Sequence, residues 1–207
     1  PHAPLADARG PDRPPPRRLV LAGTAAIVLS GGAMVGVMGI AGPAVQQGHA
    51  STAVLGATMA AHFVGMFGLA PVVGRVADKV GRRMVIVGGL ALTAAGGLAI
   101  ALLPGPGGFA ASLLAIGLGW SLSYLGASVL LVDVTPLARR ARVLGRADLL
   151  GALCQAALAA LAGVWFAERG AAGVGIAAAA LLVLPLLLVA LAVREPRPGV
   201  YAQPAAA

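Results

Sequence analysis

Charged residues are scarce in this chain of 207 residues: Asp, Glu, Lys and Arg make up 11% of it, whereas 59% is hydrophobic. Residues 19–73 contain none of these four types. A water-soluble domain of this length needs a charged surface to stay dispersed, so this composition excludes an ordinary soluble globular protein. The mean hydropathy of +0.91 indicates that most of the chain lies in lipid.

Cysteine is nearly absent as well. The one cysteine, Cys154, excludes an intramolecular disulfide and stands in an apolar run without metal-ligand spacing around it, so no metal site is predicted. Acidic residues number 7 against 15 basic ones, which gives a formal net charge of +8. The basic residues fall in short clusters between apolar runs and are not interleaved with aromatic readers, so we expect no nucleic-acid partner.

What the chain does contain is a series of long apolar runs. A transmembrane helix needs about 20 apolar residues, and short segments of turn-forming or charged residues separate six runs of about this length. They occupy residues 19–42, 51–73, 84–103, 107–132, 149–167 and 171–193. We predict an all-α membrane protein, a six-helix bundle over residues 19–193, between a disordered tail or linker at 1–18 and a tail at 194–207.

The distribution of basic residues predicts the orientation. If the six runs span a membrane, 14 of the 15 Lys and Arg residues lie on one side, in the two tails, in the segment 74–83 and after Pro136. The other side receives only Arg169. Because cytoplasmic segments of membrane proteins are enriched in Lys and Arg, both termini are predicted to be cytoplasmic in a multi-pass plasma-membrane protein.

One basic segment, residues 74–83, has a distinctive order, GRVADKVGRR. We expect it to be a loop in which Gly74 permits a tight helix contact, Asp78 accepts backbone N–H groups or pairs with arginines, and Gly81 permits a turn. The arginines that follow would anchor the next helix at the lipid headgroups, unless the segment is only an orientation signal. The residues singled out are Gly74, Asp78, Lys79, Gly81, Arg82 and Arg83.

This segment resembles the loop signature of the major facilitator superfamily, which joins helices two and three and recurs in weaker form between helices eight and nine. Residues 62–83 and 117–150 are similar to bacterial members described as drug or metabolite transporters. Six spans after a basic linker resemble the C-terminal half of such a protein, helices seven to twelve. Since the chain begins at Pro1 and not at Met, we expect it to be a fragment. The N-terminal half of the transporter would then be in the same full-length chain or in a separate subunit.

The resemblance implies a secondary transporter that moves a small molecule across the bilayer by alternating access, with drug or metabolite efflux expected. It implies that Asp78 engages the opposite half and stabilises one conformation. The chain shows no nucleotide-binding loop, so no cofactor is expected, and a proton gradient is the expected energy source. A matching cytoplasmic charge cluster, or again a simple orientation signal, is predicted from Arg139, Arg140, Arg142, Arg146 and Asp148.

Polar residues inside the predicted spans are candidates for the substrate or proton pathway. His62 is near the middle of the second span, where it either carries protons or is a neutral side chain bonded to another helix. On the fourth span, polar and aromatic residues recur at helical spacing and form either a ligand-binding face or a packing face. The candidates are His62, Trp120, Ser121, Tyr124, Ser128 and Gln155.

Two alternatives were weighed against transport. One is a non-transporting half subunit that assembles with a separate N-terminal half. The other is an intramembrane serine protease, because Gly126, Ala127 and Ser128 follow one another in the fourth span. The sixth span contains no histidine that would serve as the base, so we predict that the chain is not an enzyme.

Overall fold

The computed structural model describes residues 15–68 and 70–193, without the side chains of Gly74, Ala77 and Asp78. Helices account for nearly all of these residues, and no strand lies among them, which confirms the predicted all-α class. A π-helical segment, Val64–Gly68, follows the third helix directly. The α-helices are α1 Arg17–Gly39, α2 Ala41–Gln47, α3 Thr52–Phe63, α4 Ala70–Val80, α5 Arg82–Leu102, α6 Gly105–Val134, α7 Leu137–Leu181 and α8 Val183–Ala192.

Within the described ranges, five helical stretches are long and apolar enough to cross a membrane. Four have 21 to 31 residues, as expected for single spans, but the fifth has 56. A straight helix of 56 residues measures about 84 Å, nearly three times the bilayer core of about 30 Å. The stretches are Arg17–Gln47, Thr52–Val73, Arg82–Leu102, Gly105–Val134 and Leu137–Ala192.

The longest stretch changes direction at Gly170. This glycine has φ 64° and ψ −173°, a backbone conformation that is essentially restricted to glycine. Leu158 and Leu181, on either side of it, line the same cavity of about 410 Å³ against Gly36 of α1. A straight helix would separate two residues 23 positions apart by about 35 Å. The chain therefore folds back on itself at Gly170.

The segments expected to be loops are largely helical, and this expectation was wrong. Helix α4 continues through the basic segment to Val80, and Gly81, at φ 91°, alone separates it from α5. Helix α7 begins directly after Pro136, so the four arginines that follow are on its first turns. Lys and Arg are good helix formers, whereas a glycine at positive φ or a proline interrupts the backbone. In these two segments, clusters of charge therefore do not mark helix ends.

The bundle is held together by close contacts between small residues. Helix α5 packs along α6, and α1 packs along α7. A Cβ atom built on Gly89 of α5 would lie 2.5 Å from the backbone nitrogen of Ser123 and 2.6 Å from the carbonyl oxygen of Gly119, both on α6. Only glycine permits this approach of the two backbones, and such packing stabilises helix pairs where lipid removes the hydrophobic driving force. Helix α6 is thereby fixed against α5 by the face that carries Gly119 and Ser123.

Candidate functional site

His62, the penultimate residue of α3, is fully buried and faces α6. Its Nδ1 atom lies 2.7 Å from the carbonyl oxygen of Leu113. Because a carbonyl only accepts hydrogen bonds, Nδ1 carries the proton and donates it, and Nε2 of the neutral ring has a free lone pair. Nε2 has no hydrogen-bond partner among the described residues. The His62 side chain is thus hydrogen-bonded to a neighbouring helix through Nδ1, and its basic Nε2 atom has no hydrogen-bond partner among the described residues.

The close approach of α3 to α6 at this level depends on glycine. A Cβ atom on Gly117 would lie 2.5 Å from the backbone oxygen of His62 and 3.1 Å from its Nδ1. One residue beyond His62 the backbone widens into the π-helical segment. π-Helical turns are rare and are frequent at functional sites, because they turn side chains out of the ordinary helical register. Phe67, on this segment, reaches α6 in this way.

Three aromatic side chains form a continuous row, here called the aromatic row: Phe67, Trp120 and Tyr124. The rings of Phe67 and Trp120 meet edge to face, with centroids 6.3 Å apart. Those of Trp120 and Tyr124, one turn apart on α6, stack with centroids 5.1 Å apart. The indole N–H of Trp120 is buried and has no hydrogen-bond partner in the described part of the chain. The row therefore contains one buried donor that no described residue satisfies.

The serines predicted on this face have different surroundings. Ser121 is buried, at 2% exposure, within the helix packing. Ser128 is partly exposed, one turn after Tyr124 on α6. Gln155 lies against α1, where a Cβ atom on Gly31 would come within 2.8 Å of its Nε2. Of the predicted pathway residues, Trp120 and Tyr124 stack on each other, and Ser128 is within hydrogen-bond reach of the Tyr124 hydroxyl.

Asp148 lies at the Tyr124 end of the aromatic row. The hydroxyl of Tyr124 donates a hydrogen bond to Oδ1 of Asp148, with an oxygen–oxygen distance of 3.3 Å. In the predicted charge cluster, Asp148 was grouped with the arginines at the start of α7. Within residues 15–68 and 70–193, no basic nitrogen lies within 4 Å of this carboxylate. One of those arginines, Arg140, donates instead to the carbonyl oxygen of Thr135 at 3.0 Å.

The two arginines of the basic segment at the start of α5 contact the ends of two other helices. Arg82 donates from Nε to Oδ2 of Asp133, at the end of α6, over 3.2 Å, and both side chains are less than a third exposed. Arg83 donates from Nη2 to the carbonyl oxygen of Ala190 near the end of α8, over 2.9 Å. Lys79 is exposed. Gly74 and the side chain of Asp78, which belong to the same motif, lie outside what the structure describes.

Asp133 was not among the predicted site residues, although the sequence offered a signal for it. It stands at the end of the fourth apolar run, on the membrane side where the motif arginines were predicted. An acidic residue at that position is a natural partner for them. As for metals, the described residues contain no group of three or more His, Cys, Asp or Glu side chains that can hold an ion.

Membrane-length apolar helices with polar and aromatic side chains between them define a polytopic membrane protein. Residues 19–207 match the Major Facilitator Superfamily, and the chain belongs to this family. It is 30% identical to the "Uncharacterized MFS-type transporter YddS" of Bacillus subtilis (strain 168) over 146 residues, 69% of this chain and 33% of that protein. It is 31% identical to "Uncharacterized MFS-type transporter YdeG" of the same organism over 148 residues, 70% of this chain and 34% of that protein.

The chain thus matches about a third of the length of these curated relatives. The family consists of transporters that bind small molecules within the lipid bilayer, so these matches point to a transporter and not to an enzyme. The family match therefore argues against an intramembrane serine protease. The family match assigns no role to individual residues of this chain.

Proposed function

We propose that the chain forms six transmembrane helices, the C-terminal half of a secondary transporter that works by alternating access. The fold-back at Gly170 supports the sixth helix, because it divides the longest apolar stretch into two segments of span length. The charge distribution supports cytoplasmic termini in the plasma membrane. In this proposal an N-terminal half, in the same chain or in a separate subunit, supplies the other wall of the pathway.

We propose further that transport is coupled to protons and that His62 accepts the proton. The observation that carries this proposal is the hydrogen bonding of the imidazole ring. Its Nδ1 donates to the carbonyl oxygen of Leu113, and its Nε2 has no partner in the described structure. A buried ionisable group in a membrane is costly and usually functional. Imidazole changes its charge in the pH range in which a proton gradient operates.

The test is substrate flux in proteoliposomes that contain the complete reading frame, measured with and without a pH gradient for His62→Asn. We expect this variant to lose acceleration by the gradient and to retain facilitated exchange. His49→Asn is the matched control, because His49 is exposed and Asn tolerates its positive φ of 54°. Unchanged gradient dependence in His62→Asn would overturn the proton role and leave the transport proposal intact.

The basic segment is proposed to control the cytoplasmic gate. Its arginines connect the ends of α5, α6 and α8, so these ends move as one body when the halves rock. We propose efflux of drug-like molecules or small metabolites as the direction and substrate class. The aromatic row supports this proposal, because its three rings offer apolar contact to a ligand.

A further inference from the structure

The cavity of about 410 Å³ beside the fold-back of α7 lies outside the transport pathway proposed above. Helix α1 forms one wall with Gly32 and Gly36, and the two arms of α7, before and after Gly170, form the others. Its volume falls in the range of about 300–1,000 Å³ that small-molecule pockets have. None of the residues discussed above for substrate or protons lines it. The cavity is therefore a second candidate site.

The lining of this cavity suits hydrocarbon. Among the described side chains that form it, only Trp165 carries a nitrogen or oxygen atom. Its indole N–H already donates to the carbonyl oxygen of Gly173, over 3.2 Å. Leu161 and Val164 line the cavity and are 60% and 63% exposed, so the cavity opens as a groove on the surface of the chain. Water or a polar ligand would lose hydrogen bonds in such a groove, whereas a hydrocarbon chain would not.

The depth of the groove follows from the turn of α7. In the proposed six-span topology Gly170 joins two spans, so it lies at one surface of the membrane. The lining residues nearest to the turn are Trp165 and Val174, and the farthest are Leu158 and Leu181. At 1.5 Å per residue, the groove extends from about 6 to about 18 Å along the two arms. The hydrocarbon of one leaflet is about 15 Å thick, so the groove runs through the layer in which acyl chains lie.

Arg169 stands next to the turn, at the end of the groove that faces the membrane surface. Its guanidinium lies 5.5 Å from the centroid of the Trp165 ring, which lines the groove. In the described ranges no carboxylate oxygen lies within 4 Å of an Arg169 nitrogen, although Glu168 is its neighbour in sequence. Arginine and tryptophan at this level of a membrane protein meet the lipid headgroups. The groove thus has a cation at its headgroup end and apolar walls below it.

We propose that this groove binds one phospholipid, with an acyl chain along the apolar walls and the phosphate at Arg169. A guanidinium matches the oxygens of a phosphate in charge and geometry. Of the 15 Lys and Arg residues, Arg169 is the only one predicted on this side of the membrane, so the phosphate has no competing cation on this chain. A helix of a second copy would also fill an apolar groove, but it would leave Arg169 without a counter-ion. The site goes beyond the proposed transport function and rests only on the six-span topology proposed with it.

The test is quenching of Trp165 fluorescence by lipids with brominated acyl chains, titrated into the protein in a neutral detergent. The protein is the complete reading frame, in which every other tryptophan, Trp120 among them, is replaced by Phe. The two probes are a phosphatidylglycerol and a diacylglycerol that has the same chains but no phosphate. We expect Arg169→Gln to weaken binding of the phosphatidylglycerol by about fivefold, the effect of one basic residue near a membrane surface, and to leave binding of the diacylglycerol unchanged. Arg169→Lys keeps the charge and is expected to retain most of the affinity.

A matched pair of substitutions tests the apolar part of the groove. Ala177 is exposed and lines the groove, so Ala177→Phe fills part of it and is expected to weaken binding of both lipids. Ala172→Phe adds the same ring to an exposed position of the same arm outside the lining, and is expected to weaken neither. Equal affinity for the phosphatidylglycerol in Arg169→Gln and its parent, or quenching that Ala177→Phe does not change, overturns the proposal. A dimer in detergent that Ala177→Phe dissociates would show that a second copy covers the groove, and would overturn it too.

Discussion

Two adjacent glycines of α5 have different surroundings, and this permits a test at the scale of one residue. A Cβ atom on Gly89 would overlap backbone atoms of α6, whereas one on Gly88 would meet no atom within 4 Å. We expect Gly89→Ala to lower the free energy of unfolding by about 1–3 kcal/mol, because two backbones have to move apart. The measurement is thermal or denaturant unfolding in detergent micelles, followed by circular dichroism.

Gly88→Ala is the matched control. It adds the same methyl group one position away, in open space, and removes a glycine from a helix. We expect it to be neutral or to stabilise the protein by up to about 1 kcal/mol. Equal destabilisation by both substitutions would show that the close contact between α5 and α6 does not hold the bundle together.

At the same scale, the sequence predicts which residues are unusual but not how they bond. The position of His62 in an apolar run was enough to single it out. The assignment of a proton to Nδ1 depends on a carbonyl 51 residues away, and no local pattern contains that information. Asp148 was grouped with arginines because they are neighbours in sequence. Its bond to Tyr124, 24 residues earlier, exists because α6 and α7 meet in space.

At the scale of helices, the pair Arg82–Asp133 joins the start of α5 to the end of α6, and we expect it to contribute to the rigidity of that end of the bundle. A double-mutant cycle of Arg82→Gln and Asp133→Asn isolates the pair from any other contact of the arginine. We expect a coupling free energy of about 1 kcal/mol, the upper part of the range for partly exposed ion pairs. The measurement is the unfolding free energy of the four proteins in detergent at low salt.

Salt supplies the control for this cycle. The coupling is expected to shrink at high ionic strength, since the side chains are 26% and 29% exposed and their attraction is screened. Asp133→Asn is also expected to slow transport, because the ends of α5 and α6 would no longer move together. A coupling indistinguishable from zero at low salt, with normal transport, would remove this pair from the proposed gate.

Helix existence was predictable from apolar runs, but helix ends were not. The predicted runs 84–103 and 107–132 agree within a few residues with α5 Arg82–Leu102 and α6 Gly105–Val134. By contrast, α7 begins at Leu137, twelve residues before its apolar run, because an arginine-rich sequence is compatible with a helix that projects out of lipid. The π-helical segment, Val64–Gly68, has no signature that hydrophobic periodicity detects.

At the scale of the molecule, large apolar side chains remain exposed on several helices of this chain, among them Phe67 on the π-helical segment and Leu153 on α7. Both lipid and another helical bundle can cover such side chains without a cost in free energy. Exposure of this kind therefore does not separate the lipid-facing surface from the surface that meets the proposed other half. The orientation of the whole chain is decided better by its charges.

The proposed topology can be tested by labelling introduced cysteines, because the chain contains a single cysteine of its own. Cys154→Ala gives a cysteine-free parent, into which single cysteines are introduced at Gln47, Glu168 and Arg142. If both termini are cytoplasmic, a membrane-impermeant maleimide added to intact cells labels the cysteines at positions 47 and 168, and labels position 142 only after the membrane is permeabilised. A fluorescent protein fused after Ala207 distinguishes six spans from five. With the fold-back at Gly170 the fusion is cytoplasmic and fluoresces, whereas a 56-residue helix that did not turn back would place it outside. Labelling of position 142 in intact cells would reverse the orientation and overturn the cytoplasmic assignment of the basic segments.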